Sequence, residues 1–337
     1  MTARYEPRSP KAGRVDLASA IPLAAPLTAI VEVVSVCNLR CHFCPTGDIR
    51  VTRNTGKYRG FLDFDLFRKF VSDLDELAAP LRALHLHKDG EPLLHPRFCD
   101  MVREARRSGR VEKIETVTNG VLLGPEMNRR LVDSGLTRIK ISVYGLSADG
   151  FKRASGVAVD FARYVDNVAD LYARRGAVEV YVKAMEEGLT DEEKRLFLST
   201  FGEISDTIFL EHCGDTWPDF RVGGETVAPG VGIMGQTTRA YKKVCPQPFF
   251  NFTVCADGRV TACCADWQVR LVIGDLRRES VSEIWGGEEL RAFRGMMLRG
   301  GRKDHPLCGG CGYPTFACID DVDDAAPQLL KKIEATA

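Results

Sequence analysis

The chain has 337 residues, of which 45% are hydrophobic, so it can bury one large core with or without a small second domain. Its 46 basic and 46 acidic residues balance, which argues against a nucleic-acid backbone or an anionic membrane surface as partner. The longest apolar stretch, near residues 18–36, is broken by Pro22, Pro26 and Glu32 and predicts no membrane span. We expect a cytoplasmic protein that binds neither nucleic acid nor membrane.

Residues 1–28 lack a convincing signal-peptide pattern and are expected to form an N-terminal extension, mobile or loosely packed as far as about residue 25. From residue 29 to 213, apolar runs alternate with amphipathic helical stretches. The predicted strands cover 29–36, 82–88, 112–118, 137–143, 177–185 and 206–212. The predicted helices lie near 63–78, 96–108, 124–133, 160–174 and 190–203. This alternation predicts an α/β fold with a parallel sheet, open or curled into a partial barrel.

Distinctive residues follow the predicted strands at their carboxyl ends, where the active sites of such folds lie. In chain order they are Cys37, Cys41, Cys44, Gly90, Glu91, Asn119, Ser142, Lys183 and Cys213. Polar side chains also alternate with apolar ones along the strands, namely Glu32, His85, His87, Lys140, Ser142, Glu179, Tyr181 and Lys183. Because parallel sheets are normally covered on both faces, we expect these side chains to line a polar lumen rather than a solvent-exposed face.

The chain changes character after the sixth predicted strand. Residues 214–244 are irregular and glycine-rich and are interpreted as a connector. Residues 251–264 predict a β-hairpin that turns at Asp257 and Gly258, and 281–298 predict a helix with Trp285 as a packing anchor. We expect residues 245–320 to form a second, small α+β domain, and residues 321–337 to be a polar tail with a short helix at most.

Twelve cysteines fall mainly into two groups, one at positions 37, 41 and 44 and one of seven between 245 and 318. Their short spacings, with no visible export signal, favour metal ligation over disulfides. The first group, spaced C-x3-C-x2-C, cannot complete a tetrahedral structural site. Three thiolates can, however, hold three corners of a [4Fe-4S] cluster and leave the fourth iron open. An open iron suits a cluster that binds and cleaves a small molecule.

The cysteine triplet, with Phe43 before its last member, resembles the signature of the radical S-adenosylmethionine (SAM) superfamily. Gly90-Glu91-Pro92 resembles that family's Gly-Gly-Glu element, with Asp89 in place of the first glycine. The resemblance covers about residues 29–213 and implies a partial (β/α)6 TIM-like barrel. It implies that SAM chelates the open iron and yields a 5′-deoxyadenosyl radical when the cluster is reduced.

The same resemblance implies site residues. The ligands of the SAM-binding cluster would be Cys37, Cys41 and Cys44. The residues expected to contact SAM are Phe43, Gly90, Glu91, Asn119, Ser142 and Lys183. For the SAM carboxylate, Arg153 is an alternative to Lys183.

The C-terminal cysteines resemble the SPASM/twitch extension of these enzymes, which implies an auxiliary [4Fe-4S] cluster. Its ligands would be Cys245, Cys263, Cys308 and Cys311. We expect one auxiliary cluster, because a second would require more cysteines after residue 311 than Cys318 alone. Zinc would also accept four thiolates, but the family pattern favours iron and sulfur. The choice between Cys263 and Cys264 stays open, although the spacing from Gly258 favours Cys263, and Cys255 has no assigned role.

Enzymes of aminoglycoside pathways with this organisation remove a carbinol hydrogen from a sugar or an aminocyclitol, which implies a polar small-molecule substrate. A dehydrogenase then passes a second electron to the auxiliary cluster and yields a ketone, and an external donor such as flavodoxin or ferredoxin reduces the first cluster. An epimerase instead returns a hydrogen atom, and Cys213 is the candidate donor, beside Asp215 and Trp217. We expect dehydrogenation, with epimerisation as the alternative.

Two other classes are weighed against these. A ribosomal-peptide maturase often carries a winged-helix recognition domain, and neither residues 1–28 nor the connector shows one. A non-catalytic iron–sulfur electron carrier would need neither a SAM-binding element nor a polar lumen.

Overall fold

The computed structural model describes residues 2–8, 14–53, 55–220, 230–238 and 241–335. Within these ranges one sheet contains the strands β1 (Arg4–Tyr5), β2 (Thr28–Val31), β3 (Ala83–His85), β4 (Ile114–Thr118), β5 (Arg138–Val143), β6 (Glu179–Met185), β7 (Thr207–Glu211), β8 (Asn251–Val254), β9 (Arg259–Thr261) and β10 (Val272–Asp275). The helices are α1 (Leu17–Ala20), α2 (Ile49–Arg53), α3 (Phe64–Asp73), α4 (Phe98–Arg107), α5 (Pro125–Val132), α6 (Ala148–Ser155), α7 (Phe161–Arg174), α8 (Asp191–Phe201), α9 (Gln247–Phe250), α10 (Val281–Gly286), α11 (Glu288–Leu298), α12 (Tyr313–Phe316) and α13 (Ala326–Ala335).

Six neighbouring strands, β2 to β7, are parallel and cross the sheet in chain order. Helices α3, α4, α5, α7 and α8 connect successive strands, as the sequence alternation predicts. One cavity is lined from all six strands or the residues directly after them, through Ile30, His87, Val117, Ser142, Lys183 and Glu211. The sheet therefore curls around this cavity, and the predicted α/β fold with a partial barrel is confirmed.

Local sequence signals set the helix positions. The Asp63 carboxylate accepts hydrogen bonds from the amides of Asp65 and Leu66 at 3.0 and 2.9 Å and begins α3. Thr190 and Glu193 form a reciprocal capping box at the start of α8. These caps satisfy amides that no helical carbonyl can reach, so each helix begins at a defined distance from the strand end before it.

The N-terminal residues are not a loose extension, and that expectation is wrong for the described part. Strand β1 pairs in parallel with β7 at the sheet edge, and the amide of Ala3 donates to the carbonyl of Gly202 at 3.0 Å. Ile21, directly after α1, is 1% exposed. A two-residue strand and a four-residue helix carry no detectable periodicity, which is why the sequence pattern misses them.

The C-terminal region continues the same sheet. Strand β8 pairs in parallel with β2, and β8 and β9 form the predicted hairpin, with Gly258 at φ +88°. This left-handed conformation favours glycine. Part of the predicted connector, residues 221–229 and 239–240, lies outside the described residues.

Two C-terminal expectations need correction. The helix predicted over 281–298 is two helices, because the backbone is extended at Gly287 (φ −66°, ψ 159°). Trp285 is nevertheless a packing anchor, 5% exposed. The last residues are not a polar tail, because α13 packs against α11 through buried Leu329 and Ile333. Among the described residues, no helix has the length and apolar character to cross a membrane.

Candidate active site and cysteine cavities

The loop after β2 carries the cysteine triplet and is tightly held. The amide of Arg40 donates to the carbonyl of Ser155 at 2.7 Å, which ties the loop to the end of α6. A Cβ at Gly47 would lie 2.2 Å from the carbonyl oxygen of Cys41, so the chain folds back closely on itself. The sequence places a glycine where this close approach requires one.

The three thiols of this loop lie within electrostatic reach of one another. Burial, followed by the charges of Glu91 and Cys44, raises the pKa of Cys37 to about 11. Burial, then Cys44 and Cys37, raises the pKa of Cys41. None of the twelve cysteines is in a disulfide. Three converging thiols fit a cluster that needs three thiolates and leaves one iron open.

Glu91 joins the end of β3 to the end of β4. Its carboxylate accepts hydrogen bonds from the amide of Leu93 at 3.0 Å, the hydroxyl of Thr118 at 2.7 Å and the amide of Asn119 at 2.8 Å. The side chain is 2% exposed, and burial raises its pKa. Glu91 thus shapes the loop next to the cysteines, and its predicted contact with SAM stays a prediction.

Gly90 lies where no larger residue fits. A Cβ there would be 2.3 Å from the carbonyl oxygen of Val34 and 2.6 Å from that of Val36. The amide of Glu91 donates to the same Val36 carbonyl at 3.0 Å. The Gly-Glu-Pro element therefore packs directly on the chain that enters the cysteine loop, which fits its predicted place beside SAM.

Asn119 contacts the cysteine loop directly. Its amide nitrogen donates to Asn38 Oδ1 at 2.7 Å and lies 3.8 Å from Cys37 Sγ. The hydroxyl of Tyr164 donates to the carbonyl of Asn119 at 3.2 Å and lies 3.5 Å from that of Ser142. Tyr164 thus braces the ends of β4 and β5.

An aromatic pair separates the two cavities that flank the loop. The rings of Phe43 and Tyr144 have centroids 5.4 Å apart, and both residues line a cavity of about 320 Å³ and another of about 180 Å³. Burial, followed by the charges of Cys41 and Cys44, raises the pKa of Tyr144 above its usual value. Its phenol therefore stays protonated and can donate a hydrogen bond.

The cavity of about 320 Å³, the central cavity, is the size of a small-molecule site. It lies at the carboxyl ends of the strands. Its lining includes Phe43, Ser142, Tyr144, Lys183, His212 and Cys213. Four residues predicted for the site, Phe43, Ser142, Lys183 and Cys213, therefore share one space, whereas Gly90, Glu91 and Asn119 do not line it.

Lys183 is held by an ion pair in the wall of the central cavity. Its ammonium nitrogen is 2.5 Å from Glu211 Oε2, and Arg8 Nε is 3.5 Å from Glu211 Oε1. Burial acts to raise the pKa of Glu211, but the charges of Lys183 and Arg8 outweigh it and lower that pKa. Arg153 lines the smaller cavity, beside Phe43 and Tyr144. The choice between Lys183 and Arg153 as the SAM carboxylate partner stays a prediction.

The far part of the lumen is also polar. Lys140 Nζ is 2.5 Å from Glu115 Oε2, and His85 Nδ1 is 3.4 Å from the same oxygen. Glu179 lies at the rim, where it pairs with Arg138 and its side chain is 34% exposed. The polar-lumen interpretation thus fits the buried strand residues, with Glu179 at its edge.

Cys213 and its neighbours form one wall of the central cavity. Cys213 is 4% exposed, and its amide donates to Glu187 Oε2 at 2.6 Å. His212 Nδ1 is 3.1 Å from Glu187 Oε1, and His212 Nε2 is 3.5 Å from Glu186 Oε2. Trp217 also lines the cavity. The predicted hydrogen donor therefore faces the space where a substrate fits.

The predicted auxiliary ligands line a separate apolar cavity, the auxiliary cavity. Its cysteines are Cys245, Cys263, Cys308 and Cys311. Within the described ranges, no three His, Cys, Asp or Glu side chains are placed to hold a single metal ion. A [4Fe-4S] cluster needs less closely spaced sulfurs, because each thiolate binds a different iron. This donor set fits a cluster better than one zinc ion.

Sequence reasoning missed Cys264 as a residue of the central cavity. Cys263 lines the auxiliary cavity, whereas Cys264 lines the central cavity with Tyr313. Tyr313 lines both cavities. The available signal was the Cys263-Cys264 dipeptide itself, whose two thiols are close enough to hydrogen-bond to each other and still line different cavities.

Comparison with known proteins agrees with this arrangement. The family model of the radical SAM superfamily matches residues 31–200, half of the chain. The model of the iron–sulfur cluster-binding SPASM domain matches residues 245–312. The first match covers the cysteine loop and strands β3 to β6, and the second covers the region of the auxiliary cavity.

Curated relatives match over shorter spans. The tungsten-containing aldehyde ferredoxin oxidoreductase cofactor-modifying protein of Pyrococcus furiosus is 35% identical over 113 residues, 34% of this chain and 29% of that protein. The GTP 3′,8-cyclase of Nostoc punctiforme is 29% identical over 134 residues, 37% of each chain. The matches thus span about a third of these relatives.

Solved structures share the fold over most of the chain. BtrN in complex with AdoMet and 2-DOIA superposes with a TM-score of 0.55 at 20% identity, over 88% of this chain and 97% of BtrN. Streptococcus suis SuiB bound to S-adenosylmethionine gives 0.60 at 13% identity, over 89% and 74%. AnSMEcpe with bound AdoMet gives 0.60 at 16% identity, over 92% and 98%. The chain therefore belongs to the radical SAM superfamily, uses a [4Fe-4S] cluster and SAM, and carries a C-terminal SPASM domain for auxiliary iron–sulfur binding.

Proposed function

We propose that this radical SAM enzyme oxidises a carbinol carbon of a sugar or aminocyclitol to a ketone. When bound, SAM and its cluster supply a 5′-deoxyadenosyl radical that removes the carbinol hydrogen, and one auxiliary cluster accepts the second electron. An external one-electron donor such as flavodoxin or ferredoxin supplies the reducing electron. The protein's own residues bind the substrate, exclude water and take up the hydroxyl proton.

One observation carries this proposal: a single cavity lies between the two cysteine groups. Phe43 and Tyr144 from the side of the triplet line the central cavity, and so do Cys264 and Tyr313 from the C-terminal region. Tyr313 and the neighbouring Cys263 line the auxiliary cavity. A substrate in this space would lie between the site of hydrogen removal and an electron acceptor, as a dehydrogenase requires.

The cavity wall supplies groups for a hydroxylated ligand. Ser142 and Tyr144 offer hydroxyls, and Lys183 and Glu211 place a fixed ion pair at the wall. His212 lies between two carboxylates, with Nδ1 3.1 Å from Glu187 Oε1 and Nε2 3.5 Å from Glu186 Oε2. We assign His212 as the group that takes up the proton released when the carbinol becomes a ketone.

The solved structures of similar fold include one small-molecule complex and two peptide complexes. BtrN, whose structure contains AdoMet and 2-DOIA, matches this chain over 97% of its own length. SuiB has been solved with its precursor peptide SuiA, and anSMEcpe with the peptide Cp18Cys. A peptide maturase is therefore a further candidate, and the cavity volume of about 320 Å³ favours a compact ligand over a peptide.

Epimerisation of the same substrate class is the second candidate function. It needs a hydrogen-atom donor on the face opposite the abstraction. Cys213 and Cys264 both line the central cavity, so either thiol could return a hydrogen atom to the substrate carbon. The two thiols therefore support epimerisation as the second candidate reaction after dehydrogenation.

The test is anaerobic turnover of the reconstituted enzyme with a panel of aminocyclitols and sugars. Formation of 5′-deoxyadenosine together with a product two mass units lighter would support dehydrogenation. A product with the mass of the substrate in H2O, and one mass unit heavier in D2O, would support epimerisation. If no polyol is turned over and a peptide substrate is modified instead, the proposal is wrong.

A further inference from the structure

Four charged side chains are buried together beside the cysteine loop. Lys57 Nζ lies 2.8 Å from Glu32 Oε1 and also pairs with Asp89, and Lys88 pairs with the same Asp89 oxygen. Each of the four side chains is at most 3% exposed. We call Glu32, Lys57, Lys88 and Asp89 the buried charge cluster. Its two positive and two negative charges balance, so any single neutral substitution leaves a net charge.

The buried charge cluster holds the C-terminal region against the barrel. The amide of Ala256, next to Cys255 in the hairpin, donates to Glu32 Oε2 at 3.1 Å. Lys88 Nζ donates to the carbonyl of Asp266 at 3.3 Å, three residues after Cys263. Both contacts therefore join the barrel to the C-terminal region, one at the hairpin turn and one in the segment that follows Cys263.

The same cluster reaches the cysteine triplet through one hydroxyl. Thr46 Oγ1 donates to the carbonyl of Asp89 at 2.6 Å and lies 2.9 Å from Cys44 Sγ. A hydroxyl has one proton, so a Cys44 thiolate competes with Asp89 for it. The hydrogen bond available to the Cys44 sulfur therefore depends on how the Asp89 backbone is held.

Asp89 is not required by the backbone at its position. The family element that it resembles has a glycine there, and Asp89 is not among the residues with positive φ. Its Oδ1 is buried and, within the described residues, has no hydrogen-bond partner. Burying a charge costs free energy, and apolar replacement of buried ion pairs is often neutral for stability. We therefore infer that the Asp89 carboxylate has a role other than stabilising the fold.

We propose that the buried charge cluster sets the reduction potential of the iron–sulfur cluster held by Cys37, Cys41 and Cys44 and fixes the C-terminal region relative to it. Net charge and hydrogen bonds to the sulfurs are the levers that a protein has on this potential. The reduced iron–sulfur cluster carries one more negative charge than the oxidised one. Removing the Asp89 charge thus favours reduction, and removing a lysine charge disfavours it.

Glu32, Lys57 and Asp89 are positioning residues that do not line the central cavity, whereas Lys88 lies in its wall. The inference rests on the assignment of Cys44 as a cluster ligand and is independent of the substrate proposed above. It is tested without substrate, so failure of the dehydrogenase proposal would leave it standing.

The experiment is an anaerobic redox titration of the reconstituted full-length enzyme followed by EPR, with the SAM-binding cluster recognised by its spectral response to added SAM. Asp89→Asn should shift its potential to more positive values, and Lys57→Met should shift it to more negative values. Lys57→Met/Asp89→Asn removes one charge of each sign and should return the potential close to that of the wild type.

The matched control is Lys69→Met. Lys69 pairs with Asp73 at 2.7 Å and donates to the carbonyl of Glu279 at 2.8 Å, so it also joins the barrel to the C-terminal region but lies outside the buried charge cluster. It should leave the potential unchanged. If the two single variants shift the potential in the same direction, or neither shifts it, the proposal is wrong.

If one of the charge variants fails to take up the iron–sulfur cluster, Thr46→Val provides a second test, because this substitution changes no charge. The hydroxyl lies 2.9 Å from Cys44 Sγ, and its loss removes the proton for which a Cys44 thiolate competes with the Asp89 carbonyl. The substitution should therefore lower the potential. An unchanged potential in Thr46→Val would overturn the route through Cys44.

Discussion

Cys263 and Cys264 are adjacent in the chain and face two different cavities. Cys263 lines the auxiliary cavity with three other cysteines, and Cys264 lines the central cavity with Cys213. The two thiols are within hydrogen-bond reach of each other, so the proposed electron-accepting site and the proposed substrate site adjoin just beyond β9. The arrangement predicts different consequences for two substitutions that look alike in sequence.

Cys263→Ala should remove the auxiliary cluster, and Cys264→Ala should leave it in place. Two [4Fe-4S] clusters give about eight irons per chain, so the first variant should fall to about four and the second should stay near eight. Iron and sulfide analysis of the anaerobically reconstituted proteins measures this. Loss of iron in Cys264→Ala, with full iron in Cys263→Ala, would instead identify Cys264 as the ligand of the auxiliary cluster.

Substitution of Cys213 or Cys264, the two thiols of the central cavity, distinguishes a dehydrogenase from an epimerase during turnover in D2O. For a dehydrogenase, Cys213→Ala and Cys264→Ala should both still form the ketone, because neither thiol takes part in the second electron transfer. For an epimerase, one of the two variants should lose the solvent-derived deuterium at the reacting carbon, and the other should keep it. Mass spectrometry of the product distinguishes these outcomes.

A ketone that survives both substitutions would exclude both thiols as required hydrogen donors. Ser199→Ala is a suitable control, because Ser199 lies on α8 and its hydroxyl donates to the carbonyl of Leu196 at 3.1 Å, away from the cavity lining. It should keep the wild-type product and the wild-type deuterium content.

The sequence was sufficient to predict the barrel strands and the side chains at their carboxyl ends, because each strand is a run of apolar residues between turn signals. The resemblance to the SPASM/twitch extension grouped Cys245, Cys263, Cys308 and Cys311, which line one cavity. The sequence could not place Cys264 in the central cavity, because the cavity forms only when the C-terminal hairpin pairs with β2.

The sequence also does not reveal which charged side chains of the lumen form ion pairs with each other. Lys183 pairs with Glu211 on the neighbouring strand and not with Glu179 on its own strand. The register between the parallel strands β6 and β7 decides which charged side chains meet, and the sequence of one strand does not show which residues of the next strand lie beside it. The sequence pattern also misses the N-terminal strand β1, because its two residues form a strand only by pairing with the edge of β7.

The two candidate partners of the SAM carboxylate are predicted to differ in effect. Lys183 already pairs with Glu211, whereas Arg153 lines the smaller cavity beside Phe43. Arg153→Ala should therefore weaken SAM binding by about tenfold or more, as expected for loss of a charged hydrogen bond. Lys183→Met should change SAM affinity less and should mainly raise the KM for substrate.

Equilibrium binding of SAM to the reconstituted enzyme measures the first effect, and steady-state turnover measures the second. A tenfold loss of SAM affinity in Lys183→Met, with none in Arg153→Ala, would assign the carboxylate to Lys183. Equal losses would point to a general disturbance of the cavities.

Gly90 and Glu91 lead to the last prediction, because they support the cysteine loop in different ways. Gly90→Ala places a Cβ 2.3 Å from the Val34 carbonyl oxygen, so the backbone must shift and SAM binding should be lost. Glu91→Gln keeps the size of the side chain but turns one of its acceptor oxygens into a donor that faces Leu93, Thr118 or Asn119. An unsatisfied buried group of this kind costs about 1–3 kcal/mol.

Thermal unfolding of the reconstituted proteins should thus show a lower midpoint for Glu91→Gln. SAM binding, measured on the same samples below that midpoint, separates a structural role from a contact. If Glu91 only joins β3 to β4, the folded variant should bind SAM with affinity close to that of the wild type. If Glu91 also holds the SAM amino group, the folded variant should bind SAM at least about tenfold more weakly, because a charge-assisted hydrogen bond is lost together with the structural one.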